Sequence, residues 1–549
     1  MVEYLGPGDS LDEVSVRPTT IEGVATATAG FVGPTRYGPV HVLPPVITSL
    51  AEFERVYGEG LPLQFDGASA SHNFLWQAVR AFFAEGGQRL FVARVFRRRD
   101  GQEYVKPDFT RMHPAAAIYD DGHARAVIGG RNVLLTARFP GSGGNVHVRF
   151  TFRPESKATG SGGAPLVTVT VSPIGSAGQR VVYPDLALDS EQARTLPFVI
   201  TLGGKSKSGK DRLGALLAEH PGLKAALVRD GFAEGDRFFD VELKGGNDGV
   251  RPAASDHAGQ EGDRTGGKTG LKSIEDIDEI SVVAAPGSTF GRQSNYATEG
   301  WAIQALLIAH AEQMRHRIAV LDSGDGMAID DVRPLRSRFD SSWGALYYPW
   351  VQVLDPVTNQ KIDLPPSGFI AGIYARVDGS RGVSKASTNE PLTLALGLEA
   401  TLSEAQQDVL NAAGINCLRC LTGRGFFVGG ERTISSDPEW KYVNLRRYFA
   451  YLEHSIELGT QWVVFEPNGE ALWANVRSAV ASFLFKEWHF GALLGDKPDQ
   501  AFMVICDRTT MTQNDLDDGR LVCEIGVALL RPAEFVIFRI SPWTADRKP

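Results

Sequence analysis

The sequence predicts a mixed α/β protein of several domains, on three observations. Short apolar runs of strand character alternate with helix-period segments over residues 21–100 and again from residue 271 onward. That is the order expected when helices cover a sheet. Between these stretches, residues 101–270 turn rich in Gly, Ser and Thr and carry alternating runs, as in an antiparallel β insertion. Finally, 549 residues exceed one ordinary core, so about two to four domains are expected.

Residues 1–20 are polar, contain Pro7 and Pro18, and show no helical period. With only Leu11, Val14 and Val16 as apolar material they cannot fold alone, and they read as an extended N-terminal arm. Residues 21–100 form the first part of an α/β core. Ser71 is the expected cap of a helix carrying Leu75, Val79 and Phe82, and Gly86 ends it. Residues 90–96 are almost continuously apolar, as in a strand covered on both faces. In the insertion, Val146-His-Val-Arg-Phe-Thr-Phe152 and Leu166-Val-Thr-Val-Thr-Val171 alternate as strands, and residues 245–270 read as loop.

The α/β alternation resumes with a strand over 280–285, a helix over 301–316 and a strand over 317–321, within a central domain of residues 271–439. A C-terminal domain follows over 440–549. At its entrance Asp437 suits an N-cap and Pro438 the first helical position. Leu445, Tyr448, Phe449, Leu452 and Ile456 recur at helical spacing, and Gly459 supplies the stop. Residues 462–465 read as a short apolar strand. Pro467 and Asn468 then turn the chain into a helix over 470–487. Its apolar face carries Leu472, Val476, Val480 and Phe483, which leaves Asn475, Arg477, Ser478, Ser482 and Lys486 on other faces. Near the end, Glu534-Phe-Val-Ile-Phe-Arg-Ile-Ser541 alternates as a strand, and Pro532 lets it start sharply.

Bulk properties exclude several classes. Apolar residues at 43% and charged residues at 22% are ordinary for a globular protein. A net charge of −9 gives no general pull toward nucleic acid. Arg97-Arg98-Arg99 follows a strand and reads as a solvated strand end. No leader and no membrane-spanning stretch is expected. Four cysteines make no disulfide scaffold, and they read as buried free thiols suited to a reducing cytoplasm. Cys417 and Cys420 form a C-x-x-C, but Cys506 and Cys523 lie too far apart to complete a zinc ribbon.

Catalytic look-alikes fail on context. Gly262-Asp-Arg-Thr-Gly-Gly-Lys-Thr269 satisfies G-x-x-x-x-G-K-[ST]. A working phosphate loop needs a buried strand before it and a helix after it. Here polar loop precedes it and Gly270 follows. The partial match at 204–210 has Asp211 where the metal-binding hydroxyl belongs. Val320-Leu-Asp-Ser-Gly324 resembles the aspartate motif of subtilisin-like proteases, but no matching His or Ser segment accompanies it. Gly287-Ser-Thr-Phe-Gly291 lacks the central Ser of a nucleophile motif. Asp322 is therefore expected to cap or order the loop after its strand. His310 and His316 are six apart, a poor spacing for a shared metal, and His147 lies within a strand. No catalytic, cofactor or metal residue is assigned.

One family accounts for the wording of the chain. Ser435-Ser-Asp-Pro-Glu-Trp-Lys-Tyr-Val-Asn-Leu-Arg-Arg447 and Gln461-Trp-Val-Val-Phe-Glu-Pro-Asn468 closely resemble the tail sheath proteins of contractile phages and contractile injection systems. So do Pro18-Thr-Thr-Ile-Glu-Gly-Val24, Thr48-Ser-Leu-Ala-Glu-Phe-Glu-Arg-Val-Tyr-Gly58, Pro365-Pro-Ser-Gly368, Gly414-Ile-Asn-Cys417 and Pro532-Ala-Glu-Phe-Val-Ile537. Pro7-Gly8 departs from the family pattern in being followed by Asp9 and Ser10, and residues 101–270 match poorly.

The resemblance implies a subtilisin-like shape for the central domain, an outer position for the insertion, and an inner position for the C-terminal domain. It implies a non-enzymatic subunit that stacks helically around an inner tube and contracts from a metastable extended state to drive that tube through an envelope. The implied partners are further copies of the chain, the inner tube protein, and baseplate and terminator or cap proteins, without nucleic acid or membrane insertion. Assembly is implied in the bacterial cytoplasm, as part of a virion tail or contractile particle. Inter-subunit strands are expected at Leu11, Val14 and Val16 and at Phe535, Val536, Ile537 and Phe538, and tube contact at Arg477 and Lys486. The rival reading is an enzyme, a P-loop nucleotide-binding protein or a degenerate hydrolase. A third is another tail component or a glycan-binding surface protein.

Overall fold

The structure, a computed structural model, describes residues 20–102, 121–128, 133–153, 166–174, 180–186, 196–202, 238–262, 267–294 and 296–532. It forms two compact units. The larger lies within residues 26–382 and 387–443. The described part of the smaller comprises residues 20–25, 383–386 and 444–532.

The larger unit opens with β1 (Thr28–Gly33), β2 (Val46–Ile47), α1 (Leu50–Tyr57), α2 (Phe74–Ala84) and β3 (Arg89–Arg94). After the insertion come α3 (Ala254–Ala258), β11 (Val282–Ala284), α4 (Ala297–Met314), β12 (Ile318–Asp322), α5 (Ile329–Arg336), β13 (Gly344–Tyr348), β14 (Val351–Leu354), β15 (Lys361–Leu364), α6 (Ser367–Arg381), β16 (Gly397–Leu398), α7 (Glu404–Ala412), β17 (Ile415–Leu421) and β18 (Gly425–Val428). The insertion contributes β4 (Arg125–Ile128), β5 (Val133–Ala137), β6 (Val146–Arg153), β7 (Leu166–Pro173), β8 (Val181–Leu186), β9 (Phe198–Leu202) and β10 (Phe238–Glu242).

The main sheet runs β18-β17-β13-β12-β11-β1-β3-β2. Its inner pairs are parallel, while β18 and β2 join antiparallel at the two edges. Period-two alternation explains why its strands are apolar throughout. Phe31, Val92, Val320 and Tyr347 enter one core with Leu75, Val79 and Phe82 of α2 and Phe369, Ile373 and Tyr374 of α6. Their neighbours Val32, Ala93, Leu321 and Tyr348 enter the other, with Ile303 and Leu307 of α4, Val332 of α5 and Leu410 of α7. Helices therefore cover both faces. The fold class is mixed α/β, as expected.

The insertion is a pair of antiparallel sheets, β10-β6-β7-β8 and β4-β5-β9, sharing one core. Val148, Phe150 and Phe152 point inward, and Phe150 stacks on Phe239 with ring centroids 5.0 Å apart. The intervening Arg149 faces out and grips Asp240 through two hydrogen bonds of 2.7 and 2.9 Å. The insertion is fastened to the main sheet by Arg94, which is only 2% exposed. Its guanidinium donates to Gly38 O (2.6 Å), Thr35 O (3.1 Å) and Pro140 O (2.9 Å). Asp248 adds a second tie, accepting from Ser142 N (2.8 Å) and Gln64 N (2.9 Å). Residues 245–258 are thus not plain loop. They carry this buried carboxylate and then α3.

Local differences from the sequence reading have local causes. The cap of α2 is Asn73, accepting from Trp76 N at 3.2 Å, because Ser71 is taken by a backbone bridge to Leu63. Gly86, at φ 106°, does follow the end of that helix. Asp437 caps only a 3₁₀ turn, Pro438–Trp440, accepting from Glu439 N. The chain then pairs back through Tyr442 to Arg432 before the long helix starts at Val443. The arginine run is tied down by acids: Arg97 to Asp256 (3.0 Å), Arg98 to Asp100 (2.8 Å) and Arg99 to Asp66 (4.0 Å).

The smaller unit contains α8 (Val443–Gly459, from Asn444 on), α9 (Glu470–His489), α10 (Pro498–Ala501), β19 (Phe502–Ile505), α11 (Gln513–Asp517) and β20 (Glu524–Val527). Its core joins Tyr448 and Leu452 of α8 to Leu472, Trp473, Val476, Val480 and Phe483 of α9. Ile21, 2% exposed, belongs to the same core. Residues 20–25 lie close against α8. Val24 N donates to Ser455 Oγ at 3.1 Å, and a Cβ at Gly23 would collide with the Tyr451 hydroxyl.

Residues 462–465 are not a strand. Gln461–Val463 is a 3₁₀ turn, and Trp462 Nε1 donates to Gly459 O (3.0 Å) at the end of α8. Among the described residues no strand pairs with so short a run. Phe465 sits fully exposed at φ 69°.

Candidate functional site

The carboxyl ends of parallel strands are where α/β sheets place their sites, and Asp322 ends the central strand β12. It is 1% exposed. Its two carboxylate oxygens accept from Ser367 N (2.8 Å) and Ser367 Oγ (2.7 Å), at the start of α6. Burial pushes its pKa up to about 7, against the opposing pull of the two Ser367 hydrogen bonds. Around it, Gln304 Oε1 accepts from Asp322 N (3.2 Å) and Gln304 Nε2 donates to Ser288 Oγ (2.9 Å). Thr289 Oγ1 and Trp350 Nε1 both donate to Ser323 O at 2.8 Å.

The aspartate was expected to order its own loop. Instead it caps a helix distant in sequence, holding Ser367 at the helix N-terminus, where a negative charge is favoured. Ser367 was not singled out, although Pro365-Pro-Ser-Gly368 carries the Pro-then-Ser wording of a helix start. Chemically, a serine nucleophile needs a base to take its proton, most often an imidazole. Here Ser367 Oγ gives its hydrogen directly to the carboxylate. Two of the buried histidines are engaged elsewhere: His257 Nδ1 lies 2.9 Å from Ala253 O, and His310 Nε2 lies 2.8 Å from Arg317 Nη1. Burial pushes the pKa of His310 down to about 3. His316 Nε2 accepts from Arg317 Nε at 3.4 Å, so the two histidines of this segment share a guanidinium.

The glycine-lysine motif has no phosphate cradle among its described residues. Residues 263–266 lie outside the described residues, as does the second match at 204–210. Lys268 Nζ sits 2.8 Å from Asp276 Oδ2. Thr269 Oγ1 accepts from Gln260 N (2.9 Å), and Gly270–Ile274 is a 3₁₀ turn. The element before the motif is α3, not a strand. Among the described residues no cluster of His, Cys, Asp or Glu is placed to hold a metal ion, and no helix is long and apolar enough to cross a membrane.

The other singled-out residues belong to the smaller unit. Leu472, Val476, Val480 and Phe483 are buried on α9, while Asn475, Arg477, Ser478, Ser482 and Lys486 are exposed. Arg477 is not a purely solvated charge, because its Nη1 donates to Cys506 O at 3.3 Å. Around Lys486 and after it, Phe485, Trp488, His489 and Phe490 form an aromatic cluster at the helix end, with Phe485 and Phe490 exposed. Sequence periodicity missed this cluster, since it interrupts the polar face.

β19 and β20 pair antiparallel, Phe502 opposite Val527 through Ile505 opposite Glu524, and among the described residues this sheet has only those two strands. Leu11, Val14, Val16, Phe535, Val536, Ile537 and Phe538 lie outside the described residues.

Residues 270–434 match the phage tail sheath protein central domain, and residues 435–541 match the phage tail sheath C-terminal domain. The chain belongs to the tail sheath protein family. The sheath chain is 24% identical over 287 residues to a Pseudomonas aeruginosa (strain UCBPP-PA14) protein named as a prophage major tail sheath protein; the match covers 50% of this chain and 69% of that one. It is 29% identical over 251 residues to the tail sheath protein of Burkholderia phage BcepMu, covering 42% and 51%. Against that phage relative, then, it spans about half the length.

The fold is similar to that of the sheath complex of an extracellular contractile injection system, PVC, in its contracted state. The TM-score is 0.56 at 19% identity, over 100% of both chains. It is also similar to the helical sheath of the anti-feeding prophage in its contracted state, with TM-score 0.55 and 21% identity over 98% and 99%. The Listeria innocua sheath tail protein Lin1278 gives 0.54 at 12% identity over 93% and 96%. Membership makes this chain a structural sheath component.

Proposed function

We propose that the sheath chain polymerises helically around an inner tube and shortens from a metastable extended state to drive that tube through a target envelope. The observation that carries this reading is the β19–β20 sheet, which has two strands among the described residues. Two strands of four residues are marginal alone, and their outer edges offer backbone groups to further strands. The described chain enters at residue 20 and leaves at residue 532 within this same unit. Arms before and after these points, with Leu11, Val14 and Val16 in one and Phe535, Val536, Ile537 and Phe538 in the other, are suited to adding strands to a neighbour's pair. Several added backbone hydrogen bonds at about 0.5–1.5 kcal/mol each make a modest joint. Repeated along a particle, such joints hold subunits together while compact units rotate.

In this reading energy is stored at assembly, and contraction needs no nucleotide. The insertion lies on the outside. Baseplate and terminator proteins cap the polymer, which is assembled in the bacterial cytoplasm. Electron microscopy of the purified protein tests it. Ordered tubes support the reading, and monodisperse monomers that turn over nucleotide overturn it.

The polar face of α9 is the proposed tube contact. Charge reversal at Arg477 and Lys486 is expected to weaken co-assembly with the tube protein while leaving circular dichroism unchanged. Lys486→Glu alone is the cleaner variant, because Arg477 also braces the Cys506 backbone. Normal co-sedimentation of the Lys486→Glu sheath with its tube would discard the contact.

A further inference from the structure

The sequence draws the eye to Cys417 and Cys420, yet these cannot pair with each other. Both lie on β17, and an odd offset sends their side chains to opposite faces. Cys417 is buried in the core, while Cys420 is exposed near the hairpin turn. The expectation of four buried thiols therefore fails at Cys420, and again at Cys523, which is half-buried.

Cys506 and Cys523 are placed differently. The β19–β20 register ends with Ile505 opposite Glu524, so the next residues on the two chains are Cys506 and Cys523. The chains stay together beyond them, since Thr510 Oγ1 donates to Val522 O at 2.8 Å. The thiols face each other between these two ties, near enough that each shifts the other's ionisation. Directly opposed residues of an antiparallel pair have Cα atoms about 4.5–5.5 Å apart, inside the range a disulfide spans. Arg477, bonded to Cys506 O, brings a positive charge beside both sulfurs.

We propose that Cys506 and Cys523 are a latent disulfide site, closed by thiol–disulfide exchange with a low-molecular-weight disulfide. Cys523, the more accessible, attacks the small disulfide as thiolate, forming a mixed disulfide and expelling one small thiolate. Cys506, 0% exposed, then attacks Cys523 Sγ as thiolate and expels the second. The two protein protons end on the two released small thiols. Chain and disulfide thus exchange one S–S bond, with the protein oxidised and the small molecule reduced.

Burial holds both thiols in their protonated form, pushing Cys523 up to about 12, with Arg477 opposing it. Only thiolates attack, so closure is slow at neutral pH and accelerates with pH. The pair thus stays reduced in a thiol-rich cytoplasm and closes in an oxidising medium. Closure staples residues 507–522, and with them α11, to the open end of the two-stranded sheet.

The test uses the full-length chain incubated with oxidised glutathione, then mapped by alkylation and peptide mass spectrometry. The expected result is one intrachain link between the Cys506 and Cys523 peptides, reversed by dithiothreitol and forming about tenfold faster per pH unit between pH 7 and 9. Cys506→Ser and Cys523→Ser each abolish the link, while Cys417 remains alkylatable on unfolding. A protease nick within residues 507–522 should leave fragments joined only in the oxidised sample. A persistent glutathione adduct on Cys523 without the link, or full alkylation of both residues after oxidation, overturns the proposal.

Discussion

Removing residues 1–20 is expected to give a soluble, folded chain that no longer forms long tubes. The cut spares the anchored part of the N-terminal segment. Ile21 stays in the core of the smaller unit, and Val24 keeps its bond to Ser455. What is lost is a stretch whose apolar content, Leu11, Val14 and Val16, is too small for a core of its own but suffices for a strand laid on an existing sheet edge. If the β19–β20 pair is completed by such a strand, every subunit joint loses several backbone hydrogen bonds at once. A helical polymer multiplies that deficit along its length. Negative-stain imaging beside the intact chain, with circular dichroism to establish folding, reads the result. Sheaths of normal length from the shortened chain would sink arm exchange and leave the segment a passive tail.

The parts of this fold that were legible in sequence share one property: a single local pattern determines them. Strands such as β3, β11 and β12 announce themselves by nearly continuous apolar runs because helices cover both faces of the sheet. The buried stripe of α9 follows from its spacing. What could not be read depends on partners far away in the chain. Nothing near Arg94 says that it will be buried and bind carbonyls at Thr35, Gly38 and Pro140. Residues 462–465 have strand composition but pair with no strand among the described residues, and Trp462 spends its indole N–H on the end of α8. The register that sets Cys506 against Cys523 is likewise a tertiary fact, since in sequence they are two cysteines in separate apolar runs. Asp322 was noticed for the wrong reason. Its protease-like motif drew attention and it was read as ordering the loop after its strand, while its partner Ser367 sits 45 residues on, in a helix start.

That partnership yields the second large effect. Burial raises the folded-state pKa of Asp322 from its ordinary value of 3.8 to about 7, so the native state holds this proton more tightly than the unfolded chain does. The resulting stabilisation is complete below about pH 4 and is lost as pH rises through about 7. At 1% exposure there is no solvent screening to discount it. A rise of about three units corresponds to about 4 kcal/mol across that window. Asp322→Asn removes the titration while keeping size and an acceptor for Ser367 N. Thermal unfolding followed from pH 4 to 8 should therefore show the wild type losing stability relative to Asp322→Asn, with the gap opening as pH rises. Ser367→Ala acts in the opposite sense on the same group. The Ser367 hydroxyl bond lowers the pKa of Asp322, so its removal should lift that pKa further and extend the loss to higher pH. Asp322→Ala should be the most damaging of the three at low pH, because it leaves Ser367 N–H buried without its acceptor, at about 1–3 kcal/mol, and opens a cavity besides. Parallel pH profiles for wild type and Asp322→Asn would mean that Asp322 is ionised throughout, and that the start of α6 is held by a permanent buried charge.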